Sequence, residues 1–528
     1  MWHKLWFKIN NTVTGGAFLI AFFSLLSKLF GLLRERLIAH NFGASELSDI
    51  YYAAFRLPDL IFNTLVLGAL TSAFIPVFQK VWLKNKKEGL LLANSVLNLF
   101  LLLIGFLVVI AVIFTPQIVP LITPGFADWQ LEQTVKLTRI MLLAIIFFVG
   151  SNLIGGILNS WKRFFSFSLA ASFYNIGIII GIIFFYPKFG LIGLAWGVFL
   201  GAFLHLIVQL PEVFKCGWRY QFFLKWTSDL KKILKLMLPR TIGLAAGQIN
   251  LVVITMIAST LSAGSIAVFN LANNLQSLPV SLFAVSLAVA VFPTFTQAVT
   301  EKNQELFKKN FSVSLRRILF LLIPISVLLV ILRAQIVRII LGTGAFDWNN
   351  TYYTAQTLGF FALSLFAQGL IPLLARSFYA FEDTKTPMTI SILSILLNIV
   401  LSWFLSHALG VMGLALAFSF SSIVNMLLLY IVLHFRIEHI NDTLIFNSLI
   451  KISFNSLIAG ITTYGSLHLL APLVNMHSFL GVFIQGCGAG LIGLLTYLIL
   501  SILFKLDEVQ IIKKLLKKFI LFFKNGQH

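Results

Sequence analysis

Residues 95–114 read SVLNLFLLLIGFLVVIAVIF, an almost continuous run of apolar side chains. A membrane-spanning helix needs about 20 such residues to cross about 30 Å of hydrocarbon, and this run is that long. Similar runs recur through the 528 residues of the chain, of which 59% are hydrophobic and 11% are charged. A soluble protein of this length would need far more polar surface. The sequence therefore predicts an all-α polytopic membrane protein.

Fourteen transmembrane helices are predicted from these runs. Several exceed the length that the hydrocarbon requires, which indicates tilted helices or helices that extend beyond the bilayer. The predicted spans are 15–40, 48–80, 88–115, 134–159, 165–186, 190–214, 232–259, 265–298, 308–341, 353–380, 386–406, 411–436, 446–470 and 478–504.

The orientation follows from Lys and Arg, which accumulate in cytoplasmic loops. Connections after odd-numbered spans, such as NFGASEL and GTGAFDWNN, contain no Lys or Arg, apart from the one around Lys188. Connections after even-numbered spans, such as KVWLKNKKEG and TEKNQELFKK, are basic. We therefore predict that both termini are cytoplasmic. Residues 1–14 and the basic tail 505–528 are expected to be amphipathic segments on the inner surface.

The net charge of +21 is located mostly in these short loops. This distribution is typical of contact with anionic lipid headgroups rather than with nucleic acid. The two cysteines, Cys216 and Cys487, are far apart in the sequence and indicate small core residues rather than a disulfide framework or a metal site. The sequence contains no phosphate-cradling glycine loop and no nucleophile elbow. We therefore predict a protein that is not an enzyme and needs no cofactor.

An internal repeat divides the chain. The segment SDIYYAAFRLPDLIFNTLVLGALTSAFIPVF, which begins at Ser48, matches SIAVFNLANNLQSLPVSLFAVSLAVAVFPTF, which begins at Ser265, without gaps. Asn175 and Asn398 end a second pair of similar segments roughly 220 residues apart. Transporters built from such repeats bind substrate between the halves. The predicted organisation is two pseudo-symmetric six-helix lobes around a central cavity, over 15–217 and 218–440, followed by two extra helices over 441–504 with a possible groove for a lipid tail.

Ionisable residues inside the predicted spans indicate a polar cavity, because a charge that faces lipid costs at least about 2.5 kcal/mol. Arg binds phosphate oxygens two at a time, whereas side-chain amides suit a carbohydrate or a peptide. Together they predict a cavity for an anionic, sugar-bearing lipid. The candidate binding residues are Lys28, Arg34, Asp49, Arg56, Asn63 and Asn274, with Asp59, Arg240, Asn273 and Ser277 as secondary candidates.

Structural roles are alternatives for several candidates. Arg240 is close enough to the inner end of its helix to extend to the headgroups. Arg56 has Asp59 three residues later, at a spacing that allows an ion pair, and Asp49 is of a type that caps its own helix. Adjacent residues on a helix face different directions, so Arg34 and Glu35 are not expected to pair.

The segments LSKLFGLLRERLIAHNFGASELSDIYYAAFRLPDLI and ARSFYAFEDTKTPM are similar to segments of the MurJ (MviN) lipid II flippases. This family belongs to the multidrug/oligosaccharidyl-lipid/polysaccharide exporter superfamily, and the resemblance extends over nearly the whole chain. It implies fourteen helices, in two lobes of six with two extra helices. It also implies movement of lipid II, the lipid-linked peptidoglycan precursor, from the inner to the outer leaflet of the bacterial cytoplasmic membrane by alternating access. The implied partners are lipid II, membrane lipids and the cell-wall synthesis machinery.

The resemblance also assigns individual residues. Lys28 and Arg34 occupy two positions where the first helix of the family usually has cavity Arg residues. Asp49 is at the acidic position that begins the second helix, and Arg56 is the basic residue before Leu-Pro. A pyrophosphate contact made mainly by Lys28, Arg34 and Arg56 is implied.

The chain departs from the family pattern in three places. Phe62 and Asn63 stand where many relatives have a further cavity Arg, and Asn274 and Ser277 stand where helix eight often carries charges. No Asp or Glu occurs over residues 235–258, which argues against the sodium coupling inferred for some relatives.

Three other functions are alternatives. A flippase for another polyprenyl-pyrophosphate-linked glycan would use the same cavity chemistry. A multidrug antiporter of the same superfamily would have twelve spans and an acidic cavity. A membrane scaffold without transport activity would tolerate the loss of Arg34 and Arg56.

Overall fold

The structure is a computed structural model in which residues 13–437, 442–476 and 478–510 are described, with side chains at 13–18, 68–72, 239, 240 and 242 also outside the description. The described residues form helices and no strand. The predictions for residues 1–14 and for most of the tail 505–528 therefore fall largely outside the described residues. The helices belong to two compact units.

The first unit extends through Ala267 and includes Thr343–Phe346. Its helices are α1 (Val13–Phe42), α2 (Glu46–Ala54), α3 (Arg56–Ile61), the π-helix Phe62–Leu70, α4 (Thr71–Lys84), α5 (Lys86–Ile122), α6 (Asp128–Ser160), α7 (Phe165–Ile180), the π-helix Gly181–Phe185, α8 (Tyr186–Phe189), α9 (Leu191–Ile207), α10 (Leu210–Lys215) and α11 (Ser228–Ser259).

The second unit contains Val268–Gly342 and the residues from Asp347 on. Helix α12 (Ser265–Pro279) begins in the first unit and continues in the second. The remaining helices are the π-helix Val280–Val285, α13 (Ser286–Thr300), α14 (Gln304–Ile331), α15 (Arg333–Leu341), α16 (Trp348–Ala362), α17 (Leu365–Ala380), α18 (Lys385–Leu409), α19 (Val411–Ile437), α20 (Asp442–Leu470), the short 3₁₀ helix Ala471–Leu473 and α21 (Phe479–Leu503).

The predicted all-α, multi-span fold is confirmed. Within the described residues, ten helices are long and apolar enough to cross a membrane, and the number rises to twelve when each of two bent pairs is taken as one span. The predicted spans 15–40 and 48–80 coincide with α1 and with the series from Glu46 to Lys84. A count of fourteen is consistent with these helices. The predicted lobe boundaries at 217 and 440 stay a prediction.

The two copies of the internal repeat share an irregularity. The first copy widens into a π-helix over Phe62–Leu70, and the second does so over Val280–Val285, which falls at the matching position of the gapless alignment from Ser48 and Ser265. In a π-helical turn the backbone hydrogen bonds join residues five apart instead of four apart. Such turns are frequent at functional sites.

Glycines bring α7, and the π-helix Gly181–Phe185 that continues it, into backbone contact with α9. A Cβ added at Gly177 would lie 2.3 Å from the Cα of Gly201, and one added at Gly181 would lie 2.4 Å from the Cα of Gly197. Small residues at helix interfaces allow helices to pack closely in membranes. Burial of apolar surface contributes little to helix association there, because the lipid tails are themselves apolar. This packing fixes α7, which carries Asn175.

An extended segment, residues 219–225, follows α10 and pairs with side chains of α5. Asn94 accepts a hydrogen bond from the Gln221 N–H at 3.2 Å and donates to the Arg219 carbonyl at 3.1 Å. Asn98 donates to the carbonyls of Gln221 and Phe223 at 2.9 and 3.0 Å. The amide side chains of one helix thus satisfy backbone groups that a neighbouring strand would satisfy in a sheet.

Candidate functional site

Arg34 lies in the first unit and is held by two other side chains. Its Nη1 donates to Asn175 Oδ1 at 3.1 Å, and its Nη2 forms an ion pair with Glu35 Oε1 at 2.5 Å. Asn175 in turn donates to the carbonyl oxygens of Ser27 and Ala171, both at 3.2 Å. The amide orientation is therefore set by α1 and α7 together, and it presents oxygen to the guanidinium.

The expectation that Arg34 and Glu35 do not pair is wrong. Their backbones do diverge around the helix, but both side chains are long enough to bend toward each other. Tyr52 donates its hydroxyl hydrogen bond to the other carboxylate oxygen of Glu35. Glu35 is 4% exposed, whereas the Arg34 side chain is 22% exposed. The carboxylate is thus a buried support, and the guanidinium keeps access to a ligand.

Arg56 is buried, at 8% exposure, and its Nε donates to Thr255 Oγ1 at 2.7 Å. Thr255 lies on α11 and donates its own hydroxyl hydrogen to the Leu251 carbonyl at 2.9 Å. The carboxylate of Asp59 interacts electrostatically with both Arg56 and Arg34. The structure therefore brings Arg34, Arg56 and Asp59 into one electrostatic group inside the first unit.

Asp49 binds backbone rather than a side chain. Its Oδ2 accepts from the Gly264 N–H at 2.7 Å, and its Oδ1 accepts from the Ala267 N–H at 2.8 Å. These are unpaired amides at the start of α12, where a carboxylate is favoured by both hydrogen bonding and the helix dipole. The alternative that Asp49 caps its own helix is wrong, because the side chain reaches a segment more than 200 residues away; the Ser45 N–H at the start of α2 is instead bound by Ser48 Oγ.

A cavity of about 260 Å³ lies within the first unit. Asp59, Asn63, Asn152, Tyr174 and His205 contribute its polar lining, and no Lys or Arg is among the described residues that line it. Asn63 donates to Gln248 Oε1 on α11 at 3.5 Å. This cavity differs from the predicted cationic one, since it offers one carboxylate, amides and an imidazole beside apolar walls.

His205 and its neighbours have no signal in the sequence. The imidazole lies 2.5 Å from Ser151 Oγ, and Gln209 Nε2 donates to that oxygen at 2.5 Å. Tyr52, Thr255 and Asn175 also support the arginines, and only Asn175 stands out in the sequence, as an end point of the repeat.

The other candidates are spread along the chain. Lys28 is half-buried on α1. Asn273 and Asn274 are half-buried and Ser277 is exposed on α12, in the second unit. Asn273 Oδ1 accepts from Gln276 Nε2 at 3.0 Å, and Ser277 Oγ donates to the Asn274 carbonyl at 2.9 Å. The side chain of Arg240 lies outside the described residues. The predicted central cavity between the lobes, and the roles of all these residues in binding, stay predictions.

Comparisons with known proteins identify the family. A family model described as "Lipid II flippase MurJ" matches residues 38–484. A probable lipid II flippase MurJ of Buchnera aphidicola subsp. Schizaphis graminum is 32% identical over 417 residues, which are 78% of this chain and 81% of the relative. The lipid II flippase MurJ of Burkholderia cenocepacia is 29% identical over 426 residues, or 78% of this chain and 82% of the relative.

Solved structures show the same relationship. A lipid II flippase MurJ in an inward closed conformation is 30% identical, with a TM-score of 0.78, and the match covers 93% of this chain and 99% of that one. An inward-facing multidrug resistance transporter of the MATE family is 16% identical, with a TM-score of 0.68 over 79% of this chain and 96% of that chain, which shows a shared fold alone. The extent of these matches shows that the chain belongs to the MurJ lipid II flippase family.

Proposed function

We propose that this chain moves lipid II from the inner to the outer leaflet of the bacterial cytoplasmic membrane by alternating access. The observation that carries the proposal is a pair of arginines within the helices of the first unit, the partly exposed Arg34 and the buried Arg56, in a chain of this family. A scaffold has no need of two arginines placed at this cost, whereas a pyrophosphate that must leave water requires cations in a fixed place.

The supports of Arg34 suit this role. Glu35 and Asn175 hold two nitrogens of the guanidinium, so little side-chain freedom is lost when an anion binds. An Arg has five N–H donors, and its planar fork can bind two phosphate oxygens at once. Arg34 Nε has no hydrogen-bond partner among the described residues, and the side chain retains partial exposure.

The carboxylates near the two arginines also contribute to the proposed binding. Glu35 and Asp59 offset the charge of Arg34 and Arg56 while no substrate is bound, which lowers the cost of the buried cations. A pyrophosphate would compete with these carboxylates for the guanidinium groups. Binding of moderate strength is what a transporter needs, since the same site must release the headgroup on the other side.

The polar headgroup would cross within the protein, and the polyprenyl tail would remain in the lipid. Helices α20 and α21, which correspond to the two extra helices, are the candidates for contact with that tail. Residues over 235–258 include no acid, so the proposal involves no sodium site on α11.

The test is complementation of a bacterium depleted of its own flippase, with wild type, Arg34→Ala and Arg56→Ala at matched membrane levels. The control is Arg139→Ala, because Arg139 is an exposed Arg of the same unit. Rescue by wild type and by the control, with failure of both variants, supports the proposal. Rescue by all four chains would refute the role of the arginines. Failure of the wild type, despite expression and a compatible host, would favour another lipid-linked glycan as substrate.

A further inference from the structure

A second and larger cavity, of about 680 Å³, lies within the second unit. Its polar and aromatic walls come from the ends of four helices: Arg333 and Gln335 on α15, Trp348 and Tyr352 on α16, Tyr464 on α20 and Gln485 on α21. No Asp or Glu is among the described residues that line it. The adjoining connections GTGAFDWNN and APLVNMHS have no Lys or Arg, and so are predicted to lie on the outer side.

Arg333 provides a cation that has no carboxylate partner among the described residues. Its Nη1 donates to the Val330 carbonyl at 2.5 Å, and among the described residues it forms no ion pair. The stem of its side chain passes close to α16, because a Cβ added at Gly359 would lie 3.0 Å from Arg333 Cδ. The remaining N–H groups are suited to a carboxylate or a phosphate.

A chain of amides leaves one acceptor without a donor. Gln485 Nε2 donates to the Leu467 carbonyl at 2.9 Å, so its Oε1 accepts from Gln335 Nε2 at 3.2 Å. The direction of both amides is fixed by this sequence of bonds. Gln335 Oε1 is buried and has no hydrogen-bond partner among the described residues. A buried acceptor of this kind is normally satisfied, so a ligand with an O–H or N–H group would complete the site.

Aromatic rings form the other walls. Trp348, Tyr352 and Tyr464 are exposed, and the Arg338 guanidinium lies 5.2 Å from the centre of the Trp348 ring. The rings of Tyr464 and His468 are 4.4 Å apart. Flat aromatic surfaces beside a few fixed polar groups are typical of ligand sites, and the C–H faces of sugar rings pack well on such surfaces.

We propose that this cavity binds an anionic saccharide. Its carboxylate or phosphate would bind Arg333, a hydroxyl or acetamido N–H would donate to Gln335 Oε1, and its ring would lie on the aromatic walls. None of these residues belongs to the first unit, so the site goes beyond the lipid II contact proposed above. A lipid-linked headgroup and a free saccharide outside the cell share this chemistry.

The experiment is isothermal titration calorimetry, in which N-acetylmuramic acid is added to the full chain in phosphatidylcholine nanodiscs and the binding affinity is measured. N-acetylglucosamine has a similar ring without the carboxylate, and glycerol 3-phosphate has an anion without the ring. We expect N-acetylmuramic acid to bind about ten-fold more tightly than N-acetylglucosamine, and Arg333→Gln to weaken its binding by about ten-fold or more, the range for a charge-assisted hydrogen bond. Gln335→Leu, which leaves the charge in place, should also weaken binding. Lys188→Gln is the control, because Lys188 is an exposed cation predicted on the same side.

Three results with these ligands and second-unit variants would overturn the proposal. The first is the absence of binding by N-acetylmuramic acid. The second is binding of N-acetylmuramic acid with wild-type affinity by Arg333→Gln. Gly359→Leu, which would displace the Arg333 side chain, is a second variant for the same comparison. The third is equal or tighter binding of glycerol 3-phosphate, which would identify a phospholipid headgroup site.

The test is independent of transport. The double variant Arg34→Ala/Arg56→Ala should bind N-acetylmuramic acid as tightly as the wild type, even when it does not rescue a flippase-depleted strain. Loss of binding in this double variant would show that the ligand binds in the first unit, and would overturn the proposal. Lipid II in the nanodisc then distinguishes the sources. Weaker binding of N-acetylmuramic acid by the wild type in nanodiscs that contain lipid II supports a lipid-linked saccharide as ligand, and undiminished binding supports a free one.

Discussion

The Arg34 guanidinium and the Asn175 amide are joined by a 3.1 Å hydrogen bond between α1 and α7. Asn175 has one acceptor, and Arg34 takes it, while both amide hydrogens are directed to α1 and to its own helix. The position of the cation is thus set by the packing of two helices that are far apart in the sequence.

Replacing Asn175 with Leu should impair rescue of a flippase-depleted strain. The substitution leaves a guanidinium nitrogen without its acceptor, at a cost of roughly 1–3 kcal/mol, and frees the side chain to move. Thermal unfolding and complementation at matched expression measure the two effects. The control is Asn398→Leu at the corresponding point of the repeat, where both amide atoms are buried without a partner among the described residues. Similar loss of rescue in both variants would contradict a special role for the Arg34 contact.

Glu35 and Tyr52 should show strong coupling in a double-mutant cycle. Glu35→Gln removes the charge that faces Arg34, and Tyr52→Phe removes the donor to the same carboxylate. We expect a coupling free energy of about 0.5–3 kcal/mol, as for residues in one buried network. Tyr51→Phe is the matched control, because the Tyr51 hydroxyl is buried without a hydrogen-bond partner among the described residues. Additive effects in the thermal unfolding of Glu35→Gln and Tyr52→Phe would disprove the coupling.

Asp49→Ala should lower the free energy of unfolding by roughly 1.5–3 kcal/mol, the range for hydrogen bonds to a charged group. The physical reason is the loss of two contacts to the start of α12. Binding of lipid II by the folded variant should be unchanged, because both carboxylate oxygens are engaged with backbone. Glu46→Gln, an exposed acid of the same helix, is the control. Weakened binding with unchanged stability would instead support Asp49 as a substrate ligand.

Asp383 should make stability depend on pH. Burial raises the pKa of this carboxyl, but hydrogen bonds from Thr386 and the contact with Arg436, at 2.5 Å, outweigh it and hold the pKa below its ordinary value. The stabilisation is therefore present above the unfolded pKa of about 3.9 and is lost as the pH falls through the lower folded value. Asp383→Asn should reduce stability at pH 7 by up to about 1 kcal/mol, with a difference that disappears in acid.

The measurement for Asp383 is thermal unfolding in detergent between pH 3 and pH 7, with Glu382→Gln as the control for loss of a neighbouring exposed carboxylate. A difference between Asp383→Asn and wild type that grows toward low pH would contradict the predicted sign.

The helices and the buried cations could be predicted from the sequence, because long apolar runs interrupted by rare charges are local patterns. The partners of those cations could not. Thr255 is 199 residues from Arg56 and Asn175 is 141 from Arg34, so only the folded packing brings them together. The Glu35 contact could not be predicted for another reason, since helical spacing gives the direction of Cβ and not the reach of a long side chain. The π-helix at Phe62–Leu70 has no local signal that distinguishes it from an ordinary turn.

The extended segment 219–225 has a consequence for the variation of chain length. Five of its backbone groups bond to side-chain atoms of Asn94, Ser95 or Asn98, so one residue inserted or deleted within the segment would shift several of these pairings at once. The connection before α11 is therefore long but not freely extensible. Relatives can differ in length at Trp226, between the paired residues and Thr227, whose hydroxyl caps α11, at lower cost than within the paired residues.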